Sequence, residues 1–139
     1  MKDENKKKSL RMKILEAEDI QSQELYIPEW DATVEVRSLS GAERNRAIEL
    51  AKQKAKKGGV PTIDLGRMYV EMIRFGCYDP ETGERLFDEA DVGALGRKST
   101  KALDRITGVI KELSGIGDDA EEELEGNSAA TPDEESILN

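Results

Sequence analysis

Residues 27–46, IPEWDATVEVRSLSGAERNR, decide the fold because a strand gives way to a helix within them. Val34 and Val36 alternate with polar residues, which is the period of two typical of a half-buried strand. Ser40 is followed three positions later by Glu43, which is the spacing of a capping box. This stretch therefore predicts a strand that ends near residue 37 and a helix that begins directly after Ser40.

The residues just before this strand favour a second one. Leu25 and Ile27 lie on one side of a short alternating run, and residues 28–31 separate that run from the next. Two such runs with a four-residue connection predict an antiparallel β-hairpin. A hairpin of this size is marginal alone, so Val34 and Val36 are expected to pack against helices.

Capped or periodic segments predict about four helices after the hairpin. The first begins after Ser40 and is expected to run through Ala55 and four lysines to Gly58-Gly59. The second is predicted to be capped by Thr62 and carries the clearest amphipathic stripe of the chain. That stripe is formed by Leu65, Met68, Tyr69, Met72, Ile73 and Gly76.

The remaining helices follow a reversal that Pro80 and Gly83 favour. A short helix is predicted from Asp88 to Leu95, and a long one is predicted to be capped by Ser99. The apolar residues of the long helix are Ala102, Leu103, Ile106, Val109, Ile110 and Leu113, with a stop at Gly115. These elements predict an α+β fold that is predominantly α-helical, with an N-terminal antiparallel β-hairpin packed on a small bundle of about four helices.

Charge is concentrated at the two ends of the 139-residue chain. Residues 1–13 hold six basic and two acidic residues, whereas residues 117–139 hold nine acidic and no basic ones. The formal net charge is −9, so residues 1–116 sum to zero and the acidity belongs to the tail. We therefore predict a flexible basic leader over 1–13, a domain over 14–116 and a disordered acidic tail over 117–139.

The composition argues against catalysis and against a bound cofactor or metal. The chain has one cysteine and no histidine, so an internal disulfide and a cysteine metal cluster are excluded and the commonest general base is missing. No phosphate-binding glycine loop is present, and the acidic loop near Gly83 lacks the ligand spacing of an EF-hand. No apolar run approaches a membrane span, so we expect a reduced cytoplasmic protein that is not an enzyme.

Several residues have two interpretations. Cys77, at the end of the second helix, is interpreted as a buried apolar residue rather than a reactive thiol. Trp30, in the hairpin connection, is either a lid on the core or an anchoring residue at an interface. The methionines of the stripe are either core or part of an adaptable binding face. Leu124, like Ile137 and Leu138, is an isolated apolar residue among acids that either has no role or folds onto a partner.

The order of these features resembles a known family. The run PEWDATVEVRSLSGAER, followed after a helical spacer by DPETGERLFDEADVGALGRKSTKALDRITGVIKELSG, is similar to tail assembly chaperones of long-tailed bacteriophages, especially those infecting Gram-positive hosts. The resemblance covers roughly residues 15–115. It lies in the Pro-x-Trp turn, the strand ending in Arg37, the Leu-Ser-Gly before Glu43, the acidic turn before Leu86, and the closing helix. The basic leader is a departure from the family.

The resemblance implies a non-virion protein of the infected bacterial cytoplasm. It would bind the tape measure protein, and tail tube subunits, while the tail is assembled. In many such phages, programmed frameshifting also yields a longer form of the same protein. The residues that we expect to contact the partner are Trp30, Leu65, Met68, Met72 and Leu124.

This function suits the physical character of the chain. A long helical protein with apolar faces aggregates unless those faces are covered, and a small helical domain with an adaptable Leu/Met face can cover them by helix-in-groove packing. Either the helix with Leu65, Met68 and Met72 or the closing helix is expected to present part of its face to the partner. An acidic tail would keep the complex soluble. The alternative is a small nucleic-acid-binding protein that uses the basic leader with the lysines at 52–57, or a regulatory adaptor with an acidic tail.

Overall fold

The computed structural model describes residues 9–55 and 57–117. Within them, five α-helices, five short strands and one turn of 3-10 helix follow one another along the chain. The elements are α1 Leu10–Glu16, β1 Ser22–Ile27, β2 Ala32–Arg37, α2 Gly41–Ala51, β3 Lys52–Gln53, β4 Thr62–Ile63, α3 Leu65–Gly76, β5 Cys77–Tyr78, the 3-10 turn Glu89–Asp91, α4 Val92–Gly96 and α5 Thr100–Ser114.

Strands β1 and β2 form the expected hairpin, in a register that pairs Ile27 with Ala32. The connection is the predicted four residues, and its last residue, Asp31, has a φ of 48°. Aspartate tolerates this left-handed conformation, and its carboxylate also accepts a hydrogen bond from the Tyr26 hydroxyl at 2.8 Å. Strand β5 pairs with the other edge of β2 and gives the order β1-β2-β5.

The core lies between this small sheet and four helices. Val34 and Val36 are buried on the helix-facing side of β2, as the alternation predicts. Helix α3 is central, since it packs against α2, α4 and α5, while α5 also contacts the hairpin. The α+β class and the hairpin on a bundle of about four helices, α2 to α5, are thus confirmed.

Helix α2 begins where the capping box predicts but ends earlier than expected. Both reciprocal hydrogen bonds between Ser40 and Glu43 are present. The prediction that the helix continues through Ala55 is wrong, because the backbone becomes extended at Lys52 and residues 52–53 pair with β4. Ala51 is the last buried residue of this helix and Ala55 is exposed, so further turns would cover no apolar surface.

The cap of α3 is also not the one predicted. Asp64, rather than Thr62, accepts a hydrogen bond from the backbone N–H of Arg67, at 3.1 Å. Thr62 lies in β4, where its hydroxyl donates to the side-chain oxygen of Gln53 at 2.9 Å. The short β3–β4 ladder determines both differences, because it occupies the residues on each side of the Gly58-Gly59 turn.

The second half of the domain follows its sequence signals. The reversal after β5 has a φ of 77° at Gly83, and Ser99 caps the long helix as expected. The short helix predicted from Asp88 to Leu95 is a 3-10 turn, Glu89–Asp91, which the Asp88 side chain caps, followed by α4. Helix α5 ends at Ser114, and the following Gly115 has a φ of 74°. Glycine adopts this left-handed conformation without the steric cost of a Cβ, which explains the sharp stop.

Helix α1 crosses the boundary predicted between leader and domain at residues 13 and 14. The Ser9 side chain caps it by accepting a hydrogen bond from the backbone N–H of Met12, at 3.1 Å. None of its side chains is buried. The rest of the leader (1–8) and nearly all of the predicted disordered tail (118–139) lie outside the described residues.

Candidate partner-binding surfaces

Helix α3 is buried on almost every side, which decides where its predicted contact residues lie. Met68 and Met72 are only 4% and 3% exposed and pack in the hydrophobic core. Leu65, in the first turn, is half-buried against the same core. The two methionines therefore do not form an exposed face in this conformation, and of the three only Leu65 reaches the surface.

The charged residues of α3 pair with one another within the helix. Glu71 is fully buried, and its two carboxylate oxygens accept hydrogen bonds from Arg67 and Arg74, each at 2.8 Å. The two arginines are 43% and 14% exposed at their side chains. The negative charge of the buried carboxylate is thus balanced by two arginines of the same helix. Both arginine side chains reach the surface.

An open groove of about 620 Å³ runs between α3, α4 and α5. Its wall is mainly apolar and ends in charged residues. The apolar part is lined by Tyr69, Val70, Ile73, Val92 and Leu103, and the charged part by Asp64, Arg67, Arg97 and Asp104. An apolar floor with a charged border is the form of surface that receives an amphipathic helix or an extended apolar segment.

The glycines of α4 keep this groove open. A Cβ at Gly93 would meet only the Arg97 guanidinium, at 3.9 Å, and a Cβ at Gly96 would meet only Val70, at 3.8 Å. Both distances are ordinary van der Waals contacts, so larger side chains would extend into the groove without disturbing the fold.

Tyr69 places an unpaired hydroxyl in the wall of the groove. Its oxygen is buried and has no hydrogen-bond partner in the part of the chain that the structure describes. The Lys111 ammonium lies 5.9 Å from the centre of the Tyr69 ring. A buried hydroxyl without a partner costs free energy, so the Tyr69 hydroxyl does not stabilise the fold.

Tyr69→Phe is expected to raise the free energy of unfolding by about 1 kcal/mol, because it removes the unpaired oxygen and keeps the ring. Chemical denaturation measures the change. Tyr26→Phe is the control, because the Tyr26 hydroxyl is hydrogen-bonded to Asp31, and that variant is expected to be neutral or slightly less stable. A loss of stability in Tyr69→Phe would show that the hydroxyl has a partner.

Helix α1 is the second surface with exposed apolar side chains. Leu10, Ile14 and Leu15 are 71%, 61% and 65% exposed, and Met12 is 40% exposed. A seven-residue helix is not stable in water by itself, and here it buries no side chain. A partner that covers this helix would stabilise it.

Trp30 lies in the hairpin connection and is half-buried against the core. The neighbouring Glu29 accepts two hydrogen bonds from Arg105 of α5, at 2.8 and 2.9 Å. The Arg105 guanidinium lowers the pKa of the Glu29 carboxyl. This contact holds the connection against α5, so Trp30 covers part of the core and still exposes part of its ring.

The other residues considered from sequence have no common site. Leu124 lies outside the described residues, as does Lys56 of the predicted lysine cluster. Lys52 lies in β3 rather than in a helix, and its ammonium is 3.3 Å from the Glu49 carboxylate. Cys77 is fully buried, and burial raises the pKa of its thiol to about 12, so it is not reactive.

No group of histidine, cysteine, aspartate or glutamate side chains within residues 9–55 and 57–117 is arranged to hold a metal ion. Likewise, none of the helices described is long and apolar enough to cross a membrane.

Sequence reasoning missed the groove because its residues come from three helices and share no motif. It also missed α1, although Ser9 before Leu10 is a cap signal, because the charges of the leader dominated the interpretation. The apolar residues Leu10, Met12 and Ile14 among those charges were the sequence signal for this helix.

The fold is similar to a solved structure, that of the tail assembly chaperone of bacteriophage HK97. The TM-score is 0.52 and the two sequences are 14% identical. The similarity covers 76% of this chain and 98% of the HK97 chain. No protein-family model and no curated protein matches the sequence. The comparison therefore establishes a shared fold with a phage tail assembly chaperone.

Proposed function

We propose that this chain is a non-catalytic tail assembly chaperone of a long-tailed phage, which binds the tape measure protein and keeps it soluble in the host cytoplasm. The observation that carries the proposal is the fold shared with the HK97 chaperone over 98% of that chain. The sequence resemblance noted above points to the same family through different features. Tail tube subunits and a longer frameshifted form of the chain are further partners under this proposal.

The groove supports the proposal because it suits the chemistry of the expected partner. A tape measure protein is long and helical, and its apolar stripes would aggregate if they stayed exposed. One such helix can lay its apolar face on Tyr69, Val70 and Leu103. Its polar residues would then meet the charged border formed by Arg67, Arg97 and Asp104.

Exposed α1 supports the same function in a second way. Its apolar side chains offer contact area outside the folded body, at the end of the chain where the basic leader also lies. We assign α1 and the groove, together with the exposed parts of Leu65 and Trp30, to the surface that covers the partner. Met68 and Met72 are core residues and are not assigned to this surface.

Gly93→Gln is expected to weaken binding of the tape measure protein about tenfold or more, since the new side chain enters the groove. The experiment co-expresses the chain with the tape measure protein of the same phage and measures the soluble complex, then titrates purified components. The gene of the partner is expected to lie downstream and to encode a very long helical protein, with a tail tube gene upstream.

Gly108→Gln is the matched control. Gly108 also lies in a helix and is exposed, and a Cβ there would meet nothing within 4 Å. Glutamine has a higher helix propensity than glycine, by about 0.5–1 kcal/mol, so both variants should remain folded. The assignment to the groove is wrong if both bind equally well, and the proposed function is wrong if the unaltered chain does not bind any tail component.

A further inference from the structure

Several exposed cations lie beside the groove, where α4 leads into α5. Arg97 lines the groove directly, and Lys98 and Lys101 are exposed on either side of Thr100, which also lines it. Asp64 and Asp104 are the acidic residues of the lining. Three cations, Arg97, Lys98 and Lys101, thus lie where α4 leads into α5, and they outnumber the one α5 carboxylate of the lining, Asp104.

The segment 118–139 has the complementary chemistry. It contains nine acidic and no basic residues, and its apolar pair Ile137-Leu138 comes shortly after Glu134 and Glu135. An apolar pair next to carboxylates matches an apolar floor next to cations. The segment begins four residues after Ser114, the last residue of α5, so it belongs to the same chain as the groove.

The distance is well within reach. Along α5, Ser114 and Asp104 are ten residues apart, which corresponds to about 15 Å of helix. The 20 residues from 118 to 137 have a root-mean-square span of about 25 Å as an unstructured chain. A tether of this length gives a high effective concentration of the tail at the groove, so weak contacts suffice.

We propose that the acidic tail occupies the groove of its own chain, with Ile137 and Leu138 on the apolar floor and Glu134 and Glu135 against Arg97 and Lys101. The tail then covers the apolar surface while no partner is present. Displacement of the tail by a partner that also uses the groove rests on the proposed function, but occupancy by the tail does not.

The test is paramagnetic relaxation enhancement on the full chain without any partner. A nitroxide is attached to Ser136→Cys, and Cys77 stays unlabelled because it is fully buried and its pKa is about 12. We expect the amide signals of Gly93, Gly96 and Thr107 to lose intensity by about twofold or more. A tail that is bound for most of the time keeps the label near them. Glu24 and Thr33, exposed on the hairpin, are expected to keep their intensity.

Two variants test the two halves of the contact. Ile137→Asn/Leu138→Asn removes the apolar pair and is expected to restore the groove intensities, whereas Ala129→Asn/Ala130→Asn is the matched control that should not. Arg97→Glu/Lys101→Glu is also expected to restore them, in contrast to Arg44→Glu/Arg46→Glu on exposed residues of α2. High salt should act like the charge reversal, because it screens the border.

The proposal is overturned if the intensity loss is absent, is spread evenly over the body, or lies at the β3–β4 turn instead. It is also overturned if a nitroxide-labelled chain without ¹⁵N causes the same loss in an unmodified ¹⁵N chain with which it is mixed, since the occupant would then be the tail of a second copy. None of these outcomes depends on whether the tape measure protein binds.

Discussion

Replacing Glu71 with alanine is expected to lower the free energy of unfolding by about 3–5 kcal/mol. Glu71 is fully buried and accepts hydrogen bonds from both Arg67 and Arg74. Its removal leaves Arg74, at 14% side-chain exposure, without its carboxylate partner and opens space in the centre of α3. Urea denaturation followed by circular dichroism measures the loss.

Glu49→Ala is the control for this prediction. Glu49 pairs with Lys52 at 3.3 Å, but the two side chains are 63% and 53% exposed. Exposed pairs contribute about 0–1 kcal/mol, so this variant should be close to the unaltered protein. If Glu71→Ala costs no more than Glu49→Ala, the buried carboxylate does not stabilise the fold as its geometry indicates.

Gly76→Ala is expected to destabilise the protein by about 2 kcal/mol. A Cβ at this position would lie 3.0 Å from the Arg37 carbonyl oxygen and 3.1 Å from Cδ1 of Ile110. The end of α3 thus approaches both the last residue of β2 and the core side of α5 too closely for a side chain. Thermal and urea unfolding both report the change.

The double variant Gly76→Ala/Ile110→Val identifies which contact resists the methyl group. Valine lacks the Cδ1 atom that the new Cβ meets, so part of the loss should be recovered. Gly108→Ala, where nothing lies within 4 Å, is the helical glycine control and is expected to stabilise by about 0.5–1 kcal/mol. Destabilisation of Gly108→Ala by the same amount as Gly76→Ala would remove the steric explanation.

Local signals predicted the fold where a residue acts on its own neighbours. The caps at Ser40 and Ser99 act within three residues of themselves. The alternation around Val34 and Val36 correctly indicated which side of β2 is buried. The hairpin connection and the Gly115 stop also follow from local backbone preferences.

The end of α2 and the cap of α3 could not be predicted in this way. Residues 52–57 have good helix propensity, but the pairing of β3 with β4 joins residues nine and eleven positions apart and overrides it. Thr62 and Asp64 are both acceptable caps, and this pairing alone decides between them.

The candidate site was the least predictable part. The stripe containing Met68 and Met72 correctly identified a packing face, but helices α2, α4 and α5 surround α3 and leave little of it for a partner. Val70 and Glu71, on the polar side of that stripe, are buried as well. The groove arises from the way three helices pack, and no sequence window contains it.

Helix α5 supplies Ala102, Ile106 and Ile110, which are all fully buried, and the Ser114 hydroxyl accepts a hydrogen bond from the Leu39 backbone. The central helix α3 is synthesised well before α5. The core therefore cannot close on a growing chain until residue 114 has left the ribosome. Between the synthesis of α3 and that of α5, the side of α3 that packs against α5 is therefore uncovered, and the growing chain carries that apolar surface until α5 arrives.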